Sequence, residues 1–295
     1  MIIYWISLFT VGYFAITKPK SRWNKSTSFF IWFFLVVFIG FRFQVGCDWD
    51  QYILAIDNLR IPFVELISNK AILREPLYKL LGWFVGNNNF GVYGLNIFAA
   101  SIFSYGLISF CKKTKRPWLT LLVAIPYFVI VMAMGYTKQS IAMGILLIGY
   151  VKLIKKETYQ FIYYCFIASL FHISSLITLP IILPYLKIRK KADFFRIIIV
   201  FLVFASLISV LLYPHIERFL IGYVEQIYES EGSYLRFSLI AVPTLLFVFL
   251  RNRIQANDSE LKFLNSICYL TVILGILLFF LKSTTIIDRL LLYII

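Results

Sequence analysis

Long apolar runs recur along the whole chain, and they constrain its fold more than any other feature of the sequence. Each run has about 17 to 21 residues, which is enough for a helix to cross a hydrocarbon core about 30 Å thick. The mean hydropathy is +0.84 and 15% of the residues are charged, whereas soluble domains carry about 25%. The sequence therefore predicts an all-α polytopic integral membrane protein. We expect about nine to eleven transmembrane or re-entrant helices, with outer-face loops and interfacial helices.

The apolar runs give a first map of the membrane spans. They cover roughly residues 1–17, 27–43, 90–110, 118–134, 139–153, 194–213, 234–250 and 263–281, and a last span begins near residue 285. The first run has no basic segment before it and no small-residue cleavage site after it, so we expect a span and not a removable signal peptide. No tandem repeat or Gly/Ser-rich linker interrupts the pattern. Residues 1–295 are therefore predicted to form a single polytopic membrane domain.

Basic residues are concentrated in five short segments between the spans. These segments hold 19 of the 29 Lys and Arg residues but only four of the 14 acidic residues; they are residues 18–25, 111–117, 152–157, 187–196 and 251–262. The positive-inside rule places them in the cytoplasm and the N-terminus outside. The net charge of +15 is therefore a topology signal, and we predict no nucleic-acid binding from it.

Residues 158–186 are apolar, yet basic segments flank them on both sides, so a single crossing would violate the positive-inside rule. Two short helices of about 14 residues that meet near His172 satisfy the rule, and so do two thin but complete crossings. Pro180 and Pro184 favour a broken or kinked second half. Both alternatives place His172 in the outer half of the protein.

Two outer loops are predicted, at residues 44–89 and 214–233. The first contains WDQYILAIDNL, which predicts a helix in the outer interface because four side chains recur at helical spacing: Trp49, Tyr52, Ile53 and Ile56. The second loop carries four glutamates and is a candidate for another short helix. The four cysteines fit neither a disulfide framework nor a metal-ligand spacing, so we predict no metal and no cofactor.

Three basic residues lie at positions where a positive charge is unfavourable in a membrane protein. Lys138, Arg236 and Arg289 are each predicted in the first turn of a span on the outer side, where the positive-inside rule and the helix dipole both oppose a positive charge. A shared anionic ligand at these helix N-termini would account for all three, and Arg42, at the outer end of the second span, could join them. The alternative is that each cation snorkels to lipid phosphates, with Asp288 pairing with its neighbour Arg289.

Asp48 and His172 are the candidates for acid–base chemistry, and each has a structural alternative. Asp48, with Gln51 three residues later, fits a helix N-cap. His172 lies in an apolar segment beside Ser174 and Ser175 and fits a hydrogen-bonded core residue. The sequence contains no HExxH, GxSxG, P-loop or dinucleotide fingerprint. Composition and spacing therefore predict an anion site on the outer face without specifying a reaction.

Five motifs, in order along the chain, resemble those of the EpsG/Wzy-type polysaccharide polymerases. They are GFRFQVGCDWDQY with Arg42, Gly46, Asp48 and Tyr52; REPLYKLL with Glu75, Pro76 and Tyr78; TKQSIAMG with Lys138 and Gln139; ASLFHISS with His172; and STTIIDRLLL with Arg289. Family members usually carry arginine where this chain has Lys138, which keeps the charge but lacks the planar fork of a guanidinium. The chain stops at Ile295, partway through a span that family members usually complete.

The resemblance implies a glycosyltransferase that joins lipid-linked oligosaccharide repeats on the outer face of the cytoplasmic (inner) membrane. The donor would be a polyprenyl diphosphate-linked chain, and the acceptor would be the non-reducing sugar of another lipid-linked repeat. The implied roles are diphosphate or glycan binding for Arg42, Lys138, Arg236, Arg289, Tyr52 and Gln139, and acid–base or acceptor-binding roles for His172 and Asp48. The implied partners are membrane lipid, a chain-length regulator and a flippase, with no metal or cofactor.

Two other classes of membrane protein are alternatives. An integral membrane acyltransferase that modifies surface glycans also uses histidine and arginine, but it needs a thioester-donor site in the cytoplasm or within the membrane. A lipid-linked glycan transporter would line a continuous cavity with charged residues, and few charges lie inside these spans. A membrane scaffold without catalysis is the simplest alternative.

Overall fold

The computed structural model describes residues 2–46, 48–68, 72, 74–186, 202, 232–280 and 284–294. All regular secondary structure within these ranges is helical. Among the described residues, four helices are long and apolar enough to cross a membrane: Gly91–Cys111, Thr137–Ile154, Ser233–Arg253 and Asp258–Phe280. Shorter apolar helices are Ile2–Thr17, Lys25–Gly40, Pro117–Ala133 and Ile173–Tyr185. The prediction of an all-α polytopic membrane protein is confirmed. The count of nine to eleven spans stays a prediction, because the span at 194–213 and the loop at 214–233 lie largely outside the described residues.

The first five helices are α1 (Ile2–Thr17), α2 (Lys25–Gly40), α3 (Trp49–Asp57), α4 (Phe63–Ser68) and α5 (Pro76–Asn87). Asn24 caps α2, because its side-chain oxygen accepts a hydrogen bond of 2.7 Å from the Thr27 amide. Helix α3 confirms the helix predicted in WDQYILAIDNL. Its buried face consists of Trp49, Tyr52 and Ile56, whereas Ile53 is 37% exposed and does not belong to that face.

The next four helices are α6 (Gly91–Cys111), α7 (Pro117–Ala124), α8 (Thr137–Ile154) and α9 (Thr158–Phe171). A π-helical segment, Ile125–Ala133, continues α7, and Pro126 at its start removes a backbone donor. A 3₁₀ segment, Ile173–Tyr185, follows α9 and contains Pro180 and Pro184. The prediction of two short helices meeting near His172 is confirmed, since the two elements have 14 and 13 residues.

Helices α10 (Ser233–Leu250), α11 (Asp258–Phe280) and α12 (Thr284–Leu291) complete the described chain. Its contacts form two compact units: Met1–Lys152 with Gln160–Ser175, and Leu153–Tyr159 with Leu176–Ile295. In the first unit α6 packs along α2, and α1 packs against α7. In the second unit α10, α11 and α12 pack against one another. The prediction of a single domain over residues 1–295 stays a prediction.

Two glycine contacts bring backbone against backbone in the first unit. Gly106 of α6 faces Gly144 of α8, and a Cβ atom at Gly106 would collide with the Gly144 carbonyl. Gly46 has a φ of 98°, and a Cβ atom there would lie 2.9 Å from the Gly135 backbone. Gly46 therefore lets the segment after α2 lie directly against the residues that precede α8, next to the candidate site.

Candidate functional site

A cluster of buried polar side chains lies in the first unit. It is formed by Arg42 after α2, Glu75 before α5, Lys138 in the first turn of α8 and His172 after α9. Arg42, Glu75 and His172 are each more than 90% buried, and Lys138 is partly exposed. Charged groups are rarely buried without a partner. The cluster is therefore the strongest candidate for a functional site among the described residues.

Glu75 is the acid that connects the cluster. Its Oε1 lies 2.5 Å from His172 Nδ1, and its Oε2 lies 3.0 Å from Lys138 Nζ. Burial by itself would raise the pKa of Glu75, but the attraction of His172 and Lys138 outweighs this effect and holds the pKa below its usual range. Glu75 is therefore a carboxylate at neutral pH and bridges two basic groups.

The backbone of Glu75 is strained. It has φ 59° and ψ 54°, a left-handed conformation that costs a residue other than glycine about 1–3 kcal/mol. Pro76 follows at the first position of α5, where its fixed φ suits the start of a helix. Such strain persists only where the surrounding structure compensates for it. The contacts of Glu75 with His172 and Lys138 provide that compensation.

His172 is held at the junction between α9 and the 3₁₀ segment. Its amide donates to the Ala168 carbonyl at 2.9 Å, and its own carbonyl accepts from the Ser175 amide at 3.1 Å. Because a carboxylate only accepts hydrogen bonds, Nδ1 carries the proton that faces Glu75. His172 Nε2 lies 3.5 Å from Gln139 Nε2, at the outer limit of a hydrogen bond. A substrate hydroxyl could replace this weak contact at the basic nitrogen.

Lys138 lies in the first turn of α8, as predicted. Besides its ion pair with Glu75, its Nζ lies 4.6 Å from the centre of the Tyr78 ring, which is a cation–π contact. Tyr78 lies one turn along α5 from Glu75, so that both face Lys138. The snorkelling alternative does not describe Lys138 in this structure, because a buried carboxylate and an aromatic ring hold its ammonium group.

Arg42 lies just after α2 and is buried, with no acidic partner among the described residues. Its Nη2 donates to Thr137 Oγ1 at 2.6 Å, and its Nη1 donates to the Ile39 carbonyl at 3.1 Å. No carboxylate oxygen in the described part of the chain lies within 4.0 Å of its guanidinium. An arginine side chain stays protonated at neutral pH, so this group is a buried cation. This buried cation therefore favours an anionic ligand.

Thr137 joins Arg42 to two more helices. Its amide donates to the Tyr52 hydroxyl of α3 at 3.1 Å, and its Oγ1 donates to Asn96 Oδ1 of α6 at 3.3 Å. Four buried polar atoms in the cluster or in residues that contact it have no hydrogen-bond partner among the described residues: Arg42 Nε, Tyr78 Oη, Asn96 Nδ2 and Gln139 Oε1. Because buried polar groups are normally paired, these donors and acceptors are suited to a polar, anionic ligand.

Asp48 borders this cluster but does not cap α3 as the sequence suggested. It precedes the helix, yet its side chain makes no capping hydrogen bond. Its backbone, with φ −94° and ψ 7°, lacks the extended conformation from which an N-cap side chain reaches the first amides. Burial, and next the charge of Asp48, raise the pKa of the Tyr52 hydroxyl. Asp48 therefore lies close enough to act on the site electrostatically.

Arg236 and Arg289 belong to the second unit. Arg236 lies in the first turn of α10, as predicted, and forms an ion pair with Asp288 of α12, where the sequence offered the neighbouring Arg289 as the partner. The predicted position of Arg289 is wrong, because it lies in the last turn of α12. A cation there is favoured by the helix dipole, so its position needs no ligand to explain it.

Sequence reasoning did not select Glu75, Tyr78, Asn96 or Thr137 as site residues. The signal for Glu75 and Tyr78 was present in the REPLYKLL motif. Asn96 and Thr137 have no comparable signal, because an amide or a hydroxyl in an apolar helix is also common in ordinary helix packing. No group of three or more His, Cys, Asp or Glu that could hold a metal occurs in the ranges that the structure describes.

The fold and the cluster define a multi-pass membrane protein with a buried acid, a histidine and two cations in one site. The chain belongs to the EpsG family, whose family model matches residues 25–295 and so includes the whole cluster. EpsG is a Wzy-type polysaccharide polymerase family, and this membership supports a polysaccharide polymerase role. No curated protein and no solved structure matches the chain.

Proposed function

We propose that the protein polymerises polyprenyl diphosphate-linked oligosaccharide repeat units into a surface polysaccharide, such as an O-antigen, a capsule or an exopolysaccharide. The observation that carries this proposal is the charge balance of the cluster. Arg42 and Lys138 contribute two positive charges, whereas Glu75 is the carboxylate within ion-pair distance of a site cation among the described residues and Asp48 acts on the site from farther away. A diphosphate leaving group is an anion that such a site would stabilise.

The proposed reaction follows from the positions of the basic groups. The acceptor hydroxyl oxygen attacks the anomeric carbon of the donor sugar, and the bond from that carbon to the diphosphate oxygen breaks. His172 Nε2 takes the hydroxyl proton, since Nδ1 is already hydrogen-bonded to Glu75. Arg42 and Lys138 stabilise the negative charge that develops on the polyprenyl diphosphate as it leaves.

The other predicted residues take secondary roles in this proposal. Gln139 and Tyr52 line the substrate side of the cluster, and Asp48 is the alternative base or an acceptor-binding residue. Arg236 already has a carboxylate partner, so it and Arg289 are weaker candidates for diphosphate binding. The distribution of basic residues supports a site on the outer face of the inner membrane. A chain-length regulator and a flippase of the same pathway are the proposed partners.

The test is complementation of the parent strain from which this polymerase has been deleted, read as a ladder of surface glycan on a gel. We expect the wild type to restore a long ladder, and His172→Ala, Arg42→Ala and Lys138→Ala to leave single repeats at equal membrane abundance. Arg60→Ala and Lys262→Ala are matched controls, because each removes the cation of an exposed ion pair. They should restore the ladder.

Two results would contradict the proposal. Single repeats from the abundant wild-type protein, in a strain whose glycan pathway is intact, would exclude polymerisation by this chain. A normal ladder in the deleted strain, with acyl groups missing from the glycan, would instead indicate the acyltransferase class.

A further inference from the structure

We propose that Glu75 is a positioning residue for His172. Its carboxylate holds the imidazole with Nε2 facing the acceptor hydroxyl, and it stabilises the imidazolium that forms when Nε2 takes the proton. This inference rests on the proposed polymerase function and assigns a role to a residue that lies outside the set of candidates derived from the sequence.

The geometry supports this assignment at both carboxylate oxygens. Oε1 lies 2.5 Å from His172 Nδ1, which selects the tautomer in which Nδ1 carries the proton and Nε2 is the basic nitrogen. Oε2 lies 3.0 Å from Lys138 Nζ, so the carboxylate is held at two points and its orientation is fixed. The strained backbone of Glu75 also supports a functional role, since strain of this kind concentrates at functional sites.

One carboxylate thus connects the proton-accepting half of the site to the phosphate-binding half. Removing the negative charge of Glu75 makes the protonated histidine less favourable, whereas removing the positive charge of Lys138 makes it more favourable. The acid limb of the rate–pH profile should therefore move in opposite directions in Glu75→Gln and Lys138→Met. If Glu75 served only to pack the fold, the acid limbs of the two variants would not be expected to move in opposite directions.

Other titratable groups lie around the Glu75–His172 pair. Tyr78 and Lys79 of α5 and Lys138 of α8 belong to this group, and the groups that act on Tyr78 and Lys79 are Arg42, Asp48, Tyr52 and Arg74. Burial lowers the pKa of Lys79 to about 8, so its charge changes in weakly alkaline solution. The acid limbs of the variants are therefore compared below pH 7, where Lys79 keeps its charge.

The activity experiment uses the purified full-length protein in lipid nanodiscs and lipid-linked repeat units extracted from the polymerase-deleted strain. We expect Glu75→Gln to lower kcat about 10²- to 10⁴-fold with a small change in KM, and to move the acid limb to lower pH. Lys138→Met should raise KM for the lipid-linked substrate and move the limb to higher pH. Glu75→Asp keeps the charge and should recover part of kcat with the limb near its wild-type position.

A second measurement tests the inference without activity. The sequence contains two histidines, so ¹⁵N-histidine NMR of the nanodisc sample gives the His172 signals by comparison with His172→Gln. We expect the neutral ring to carry its proton on Nδ1 in the wild type and in Glu75→Asp.

The two failures are distinguishable. A wild-type protein that forms no polymer overturns the proposed function. A neutral His172 ring protonated on Nε2, or acid limbs that move in the same direction in Glu75→Gln and Lys138→Met, overturns the role of Glu75 even if the protein is a polymerase.

Discussion

Two buried acids, Glu75 in the first unit and Asp288 in the second, are each paired with a basic residue from another element, but their surroundings differ. Asp288 forms an ion pair with Arg236. Glu75 is shared by Lys138 and His172, and the buried Arg42 lies in the same hydrogen-bonded cluster. An ion pair of this kind holds two helices together. A shared acid beside an additional cation leaves positive charge available to a ligand.

The different surroundings of these two acids could not be predicted from the sequence. Lys138 and Arg236 both lie in the first turn of an apolar helix, and both violate the same expectations about membrane cations. The difference arises from the acid that each one meets across the fold. Four predictions test this comparison.

We expect the largest difference in polymerisation rate between Arg42→Ala and Arg236→Ala. We expect Arg42→Ala to lower the polymerisation rate about 10²- to 10³-fold, because it removes a buried charge aimed at the proposed diphosphate. Arg236→Ala should instead destabilise the protein by about 3 kcal/mol, because it breaks the ion pair with the buried Asp288. Rates per folded molecule and thermal unfolding in nanodiscs measure the two effects. Equal rate losses for both variants would remove the distinction between the two regions.

Gly46→Ala should damage the first unit without removing any charged group. A Cβ atom there would lie 2.9 Å from the Gly135 backbone, and its φ of 98° is unfavourable for alanine. We expect about a tenfold loss of activity or more, because the segments that carry Arg42 and Lys138 are forced apart. Gly91→Ala is the matched control, since Gly91 also has a positive φ of 55° but has open space around it. Similar losses in both variants would attribute the effect to backbone strain alone.

Lys138→Arg tests whether the first unit recognises charge or shape. The arginine restores the residue that is usual in the family and keeps the positive charge beside Glu75. We expect activity within about tenfold of wild type for Lys138→Arg and a loss of about 10²-fold for Lys138→Met. Initial rates with the lipid-linked substrate measure both. A rate for Lys138→Arg as low as that of Lys138→Met would show that the ammonium geometry matters more than its charge.

The smallest effect is expected for Lys262→Ala in the second unit. Lys262 pairs with Asp258 one turn away on the exposed surface of α11, at 3.1 Å. Exposed pairs of this type contribute about 0–1 kcal/mol, so neither the unfolding temperature nor the rate should change measurably. Thermal unfolding beside Arg236→Ala provides the comparison, and a loss as large as that of Arg236→Ala would contradict the contrast between buried and exposed pairs.

Several elements of the fold were predictable from local sequence. The apolar runs gave the helices, the spacing of Trp49, Tyr52 and Ile56 gave α3, and the two basic flanks of residues 158–186 gave the break at His172. These features depend on length, hydropathy and spacing of 3.6 residues per turn, which act over neighbouring residues. The position of Arg289 was predicted wrongly, because the bounds of a short helix such as α12 depend on its packing.

The candidate site was only partly predictable. Arg42, Lys138, Gln139 and His172 were named from the sequence, and the structure brings them together in one cluster. Glu75 was part of the REPLYKLL motif but was not selected as a site residue, because an acid beside a proline in a loop resembles a helix start until its partners are known. Its partners lie 63 and 97 residues away along the chain.

The sequence by itself determined that this chain is a helical membrane protein and which side of the membrane its unusual cations are predicted to face. Hydropathy and charge act on each segment separately, so they can be read without knowing the fold. Only the tertiary structure decided which acid each cation meets, because a Coulomb interaction depends on a distance of a few ångströms between atoms from remote segments. That choice gives Arg236 a carboxylate partner and leaves Arg42 and Lys138 with the excess charge of the proposed active site.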